Sequence, residues 1–169
     1  MFIGRRPRAL CAALLLAVGA TGLAQSPAPP LDLATFPRAA LEIVHRAHGQ
    51  AAHRYHFDVW VADTAQRAEQ GLMFVRDLPP ARAMIFPIRP PRVETMWMKN
   101  TYIELDMLFI DTDGRVVKII ERAHPLSLET LSSDVPVGGV LELKGGEVRE
   151  LGLGVGDQVS WKPAADGSF

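Results

Sequence analysis

From Ala39 to Trp161 the apolar residues of this chain come in short runs, each closed by a proline, a glycine or a turn cluster. That punctuation leaves room for strands but not for long helices. Leu41–His45 is the first such run, and Tyr55–Val61 is the clearest, with Tyr55, Phe57, Val59 and Val61 on one face and His56, Asp58 and Trp60 on the wetter one. Asp63-Thr64-Ala65-Gln66 supplies a capping aspartate and a glutamine three residues on, which predicts a short helix over Ala65 to Gln70 stopped by Gly71. Leu78-Pro79-Pro80 and Ile88-Arg89-Pro90-Pro91 read as loops, because proline cannot donate into a ladder. Strands are expected at Ala83–Phe86, Glu94–Lys99, Leu105–Ile110, Arg115–Glu121, Val140–Lys144 and Gln158–Trp161. Asp111-Thr112-Asp113-Gly114 joins two of these as a hairpin turn, His124 to Pro136 is irregular or weakly helical, and Glu147–Leu151 is one helical turn. The expected fold is mainly β, α+β at the margin: a compact, mostly antiparallel barrel or sandwich of about eight short strands with one or two short helices.

The N-terminal residues have a different character. Arg5, Arg6 and Arg8 precede an uncharged apolar stretch from Ala9 to Ala20, and Thr21-Gly22-Leu23-Ala24 puts small residues where a signal peptidase reads. Residues 1–24 are therefore expected to be a cleaved signal peptide. The apolar stretch is about a dozen residues, short of the ~20 that cross a bilayer as a helix, so no stable membrane anchor is expected after cleavage. The Arg5-Arg6 pair is compatible with the general or the twin-arginine route. Residues 25–38, with Ser26, Pro27, Pro29, Pro30 and Pro37, read as a flexible linker before a single domain over residues 39–165.

Cleavage would take three arginines and no acid from a chain of net charge −1, leaving −4. That balance argues against a nucleic-acid partner, which calls for a basic face. The single cysteine, Cys11, would leave with the signal, so the mature domain is expected to have neither a disulfide nor a thiolate nucleophile.

Seven blocks then recur in an order that resembles a known family: Gly71-Leu72-Met73-Phe74, Leu78-Pro79, Ala83-Met84-Ile85-Phe86, Met96-Trp97-Met98-Lys99-Asn100-Thr101, Leu105 to Asp111, Val140-Leu141-Glu142-Leu143 and Gly156-Asp157. Together they resemble domain of unknown function 192 over about residues 57–161. Glu104 stands where the family has a proline before leucine-aspartate, and Arg82-Ala83 where a glycine precedes the methionine. The resemblance implies a compact strand-rich domain, often exported, and brings no settled activity.

Among residues able to carry chemistry, Trp97, Lys99, Asn100 and Asp106 come first. In an extended Met96–Asn100, alternation sends Met96, Met98 and Asn100 to one face and Trp97 with Lys99 to the other. An aromatic plate beside an ammonium suits a sugar, an anionic ligand or a peptide, and Asp106 would orient the lysine. The plain alternative is a packed tryptophan covered by the lysine stem. Asp106 and Glu142 sit among apolar neighbours; if they share a cleft at roughly 5 to 9.5 Å they could act as paired acid and base. His45, His48, His53 and His56 could converge on zinc or copper, or simply flank a hairpin in solvent. Met73, Met84, Met96, Met98 and Met107 could be thioether ligands but suit core filling better. Arg67, Arg76, Arg82, Arg89 and Arg92 could form a basic patch for a phosphate or carboxylate, or pair with Glu69, Asp77 and Glu94.

No nucleophile elbow, phosphate loop or dinucleotide fingerprint is present. The expected function is a non-catalytic binding or accessory module of the cell envelope without a cofactor. Its site would comprise Trp97, Lys99, Asn100, Asp106 and Glu142, and its partner would be a small molecule, a glycan or an envelope protein. A hydrolase using Asp106 and Glu142 and a periplasmic metal-binding protein using the histidines are the alternatives.

Overall fold

The structure is a computed structural model that describes residues 29–46 and 51–163. The expected signal peptide, the first residues of the expected linker and His48 lie outside the described residues. Seven strands form one curled sheet: β1 Arg38–His45, β2 His53–Val61, β3 Arg82–Met96, β4 Leu105–Ile110, β5 Val116–Ala123, β6 Leu131–Lys144 and β7 Gln158–Pro163. Two short helices, α1 Ala65–Gln70 and α2 Glu147–Leu151, complete the fold. Spatial order is β5-β4-β6-β3-β2-β1-β7, and every neighbouring pair is antiparallel except β2 with β3. The sheet curls far enough for its two edges to touch at one end. There Val116 N–H donates to Asp157 O at 2.9 Å and Val159 N–H to Gly114 O at 2.7 Å. Gly114 has φ 81°, and a Cβ on it would lie 2.5 Å from Val159 O, so only glycine permits this contact. The result is a half-barrel.

Two apolar cores lie on opposite faces of the central strands. All seven strands contribute to the first, through residues such as Leu41, Val59, Ile85, Leu108, Val116, Leu141 and Val159. The second gathers Met84, Phe86, Met107, Phe109 and Val140 from β3, β4 and β6 under a cover of Phe36, Leu72, Leu78 and Met98. Burial on both faces explains why β4 reads Leu-Asp-Met-Leu-Phe-Ile without polar alternation, all six residues being buried.

Several local expectations need correction. Two expected strands, Ala83–Phe86 and Glu94–Lys99, are one strand, which gives seven rather than eight. Pro90 and Pro91 fall where the β3–β6 register shifts between Pro87 and Arg92, so they owe no ladder bond there, and Pro87 stands opposite Gly139 at the edge of that shift. Residues 131–136 belong to β6 instead of an irregular segment. In α1 the cap is Thr64, whose side chain accepts from Arg67 N–H, while Asp63 forms an ion pair with Arg67 at 2.6 Å. The described end of the expected linker is docked. Phe36 is buried, Leu31 exchanges hydrogen bonds with the Gln70 side chain, and Arg38 already belongs to β1. An aromatic ring two residues before the strand, with a pocket to enter, overrides the local proline content.

Candidate functional site

Glu142 lies on β6 between two register partners, Met84 of β3 and Met107 of β4, both fully buried. Its neighbours Leu141 and Leu143 point into the first core, so alternation sends the carboxyl to the second. There it is 4% exposed, and Oε2 has no hydrogen-bond partner. Burial pushes its pKa up to about 8. A partnerless carboxyl is costly to ionise in such surroundings.

Above this carboxyl opens a cleft of about 270 Å³. One wall is α1 and the turn that follows it, ending in Gly71, Leu72 and Met73; the other is β3 from Phe86 to Met96, with Trp97 beyond it. Gly71 (φ 50°, ψ −134°) lets this turn press close: a Cβ there would sit 3.1 Å from Phe86 Cζ and 3.9 Å from Glu142 Oε2. Glu69, Arg92 and Glu94 line the cleft as well, Arg92 and Glu94 pairing at 2.7 Å.

The Met96–Asn100 segment leaves β3 after Met96, so Trp97 to Asn100 are loop instead of strand. Even so, Met98 is buried while Trp97 (45% exposed) and Lys99 face outward, with Lys99 Nζ 4.9 Å from the indole centroid. Asn100 does not accompany them. It turns back at φ 56°, its Nδ2 approaching Met73 Sδ at 3.8 Å and its carbonyl accepting from Phe74 N–H at 2.9 Å.

Asp106 is a correction. Its fully buried carboxylate accepts three backbone N–H groups, Arg122 at 2.7 Å, Gly146 at 2.9 Å and Val148 at 2.8 Å. It therefore secures the start of α2 and does not orient Lys99. In the β4–β6 register Asp106 stands opposite Leu143 and Met107 opposite Glu142, which places Asp106 and Glu142 on opposite faces of the sheet. They cannot flank one substrate, and the paired-carboxylate hydrolase falls.

The histidines do not gather. His45 Nδ1 is held by Asp157 at 2.9 Å, while His53 and His56, three residues apart on β2, point to opposite faces. Among the described residues no group of three potential metal ligands converges. Met84, Met98 and Met107 are core, whereas Met73 and Met96 line the cleft. The arginines are dispersed as well: Arg67 pairs with Asp63, Arg82 with Asp58 and Arg92 with Glu94, and Arg76 lies over the Tyr102 ring at 4.9 Å. Of the expected site, Trp97 and Glu142 reach the cleft. Gly71 and Phe86 were not among the candidate residues and were marked only by their places in the seven blocks, while Met73 and Arg92 had been weighed only as a thioether ligand and as part of a basic patch.

The family model of DUF192, described as "Uncharacterized ACR", matches residues 44–161. The chain belongs to the DUF192 family. The match begins within β1, earlier than the expected boundary at residue 57. Two solved structures are similar to this DUF192 chain. One is from Sinorhizobium meliloti 1021 and is described as a candidate transcription regulator; identity is 36%, TM-score 0.69, and the match covers 75% of this chain and 95% of that one. The other, a protein of unknown function from Novosphingobium aromaticivorans DSM 12444, has 35% identity and TM-score 0.65, over 71% and 84% of the two chains. No curated protein matches.

Proposed function

We propose that this DUF192 domain is an exported, non-catalytic binding module whose ligand enters the cleft above Glu142. The observation that carries the reading is the buried carboxyl with no partner, open to a cleft walled by apolar and thioether side chains. Unpaired polar groups persist in folded proteins where something else completes them. Export rests on the N-terminal arginines and the apolar stretch behind them. The description of the Sinorhizobium protein as a transcription regulator is not carried over, because a chain of net charge −1 offers little to a phosphate backbone.

Titration of a small-molecule library into isotopically labelled protein tests the reading. Expected are shifts confined to the amides of Gly71 to Met73, Met96, Trp97 and Glu142. Shifts confined to another part of the surface, or none at millimolar ligand, would remove the cleft as the site.

A further inference from the structure

We propose that the ligand of this cleft carries a primary ammonium group on an apolar stem, the ammonium resting on the Glu142 carboxylate. The inference rests on the cleft being the binding site and adds the sign and shape of what enters it.

Charge decides the sign. The titratable groups that line the cleft beside Glu142 are Glu69 of α1 and Arg92 and Glu94 of β3, and Lys144 lies two residues further along β6; Arg67 of α1, Arg82 and Arg89 of β3 and Asp134 of β6 lie outside the lining, and Asp106 of β4 is on the other face of the sheet. Arg92 is engaged by Glu94 at 2.7 Å, and Lys144 reaches Asp77 at 3.5 Å. Glu69 has no ion-pair partner among the described residues, and Lys99 lies outside the lining, over Trp97. An entering anion would find one cation in the lining, Arg92, already beside the Glu94 carboxylate, and would meet Glu69 at the rim. An entering ammonium supplies the donor that Glu142 lacks, in surroundings where a charge-assisted bond is strong.

Shape decides the stem. Leu72, Met73, Phe86, Ile88 and Met96 offer hydrocarbon and sulfur, and the volume suits a chain of a few methylenes. A free alkylamine and the side chain of a lysine share this chemistry. On binding, Glu142 gives its proton to solvent while the amine keeps its own, so an O–H is exchanged for a carboxylate–ammonium pair.

The experiment compares n-pentylamine, 1-pentanol and pentanoate at pH 7 by calorimetry in two buffers of different protonation enthalpy, with Nα-acetyl-lysine amide as a fourth probe. Expected is at least tenfold tighter binding of the amine than of the alcohol or the acid. Roughly one proton should be released per complex, as a carboxyl that is protonated before binding requires. Glu142→Gln should lose the preference and the proton release, whereas Glu69→Gln, which removes only a rim charge, should narrow the preference for amine over acid and keep the proton release. Acetyl-lysine amide binding as well as pentylamine points to a peptide source, and its failure beside a binding amine points to a free one; either supports the ammonium. Equal or tighter binding of pentanol or pentanoate with shifts in the cleft amides overturns the ammonium and leaves the cleft standing. Amine binding without proton release, or abolished by Glu69→Gln alone, overturns it too. If none of the four binds, the ammonium falls, and the wider library titration decides the cleft on its own.

Discussion

Asp106 and Glu142 are one step apart in the same β4–β6 ladder, and their sequence settings are nearly alike, Leu-Asp-Met and Leu-Glu-Leu. Both carboxyls are buried, yet one accepts three backbone N–H groups and the other leaves an oxygen with no partner. The difference lies in what the chain brings to each face. On the Asp106 side, the start of α2 and the positive-φ residue Arg122 (φ 48°), at the register shift between β4 and β5, aim N–H groups inward. On the Glu142 side, the Gly71 turn approaches without a donor, because its own N–H is spent on Arg67 O at 2.8 Å. A carboxyl that the backbone completes is architecture; one that it leaves open is available to something else.

The largest test of this contrast is Asp106→Ala, which strands three buried N–H groups at once. It should cost about 3–4 kcal/mol in denaturant unfolding, on the order of the heaviest single-site losses. A loss near 1 kcal/mol would mean that solvent completes those donors, and the contrast would lose its structural half.

Glu142 should act with the opposite sign. Its folded pKa of about 8 exceeds the ordinary 4.5, so between those values the native state holds a proton that the unfolded chain has released. Stability therefore falls as pH rises, the loss beginning above 4.5 and being complete above 8. Half-buried Glu147, also pushed up by burial, works in the same direction. Glu142→Gln should flatten this slope and leave the protein about 2 kcal/mol or more steadier than wild type at pH 9, read from melts across the pH range. A variant weaker than wild type at pH 9 would reveal a partner for the carboxylate and end the comparison.

Gly71→Ala should cost about 1–2 kcal/mol, since the position has positive φ and its Cβ would meet the Phe86 ring at 3.1 Å. Binding in the cleft should weaken with it, because the same methyl group narrows the approach to Glu142.

How much of this was legible in the sequence follows from range. The bounds of α1, α2 and β4 follow from local signals, namely caps, glycine stops and an unbroken apolar run, and they match. The outward pairing of Trp97 with Lys99 followed from alternation and holds although the segment is loop, because Met98 is still driven inward. What depends on distant chain was hidden. The role of Asp106 requires N–H groups 16, 40 and 42 residues away. The passage of β3 through its prolines requires the shifted register of β6, and the docking of Phe36 requires a cover for the second core. Glu142 was legible as a carboxylate among leucines, but its vacancy depends on which backbone groups fail to arrive.

Trp97 sharpens the comparison at its smallest scale. Its indole is the most exposed large hydrophobic side chain lining the cleft, and the chain around it is held by other groups: Met98 N–H donates to Ser127 O at 3.1 Å, and Thr101 N–H to Met98 O at 3.1 Å. Trp97→Ala should therefore move stability by no more than about 0.5 kcal/mol, as surface substitutions do. The same change should weaken cleft binding by about three- to tenfold, the scale of one aromatic contact. Both quantities come from the same purified variant, by melting and by titration. A stability loss above about 1.5 kcal/mol with binding unchanged would make the indole a packing element of the fold and remove it from the binding surface above Glu142.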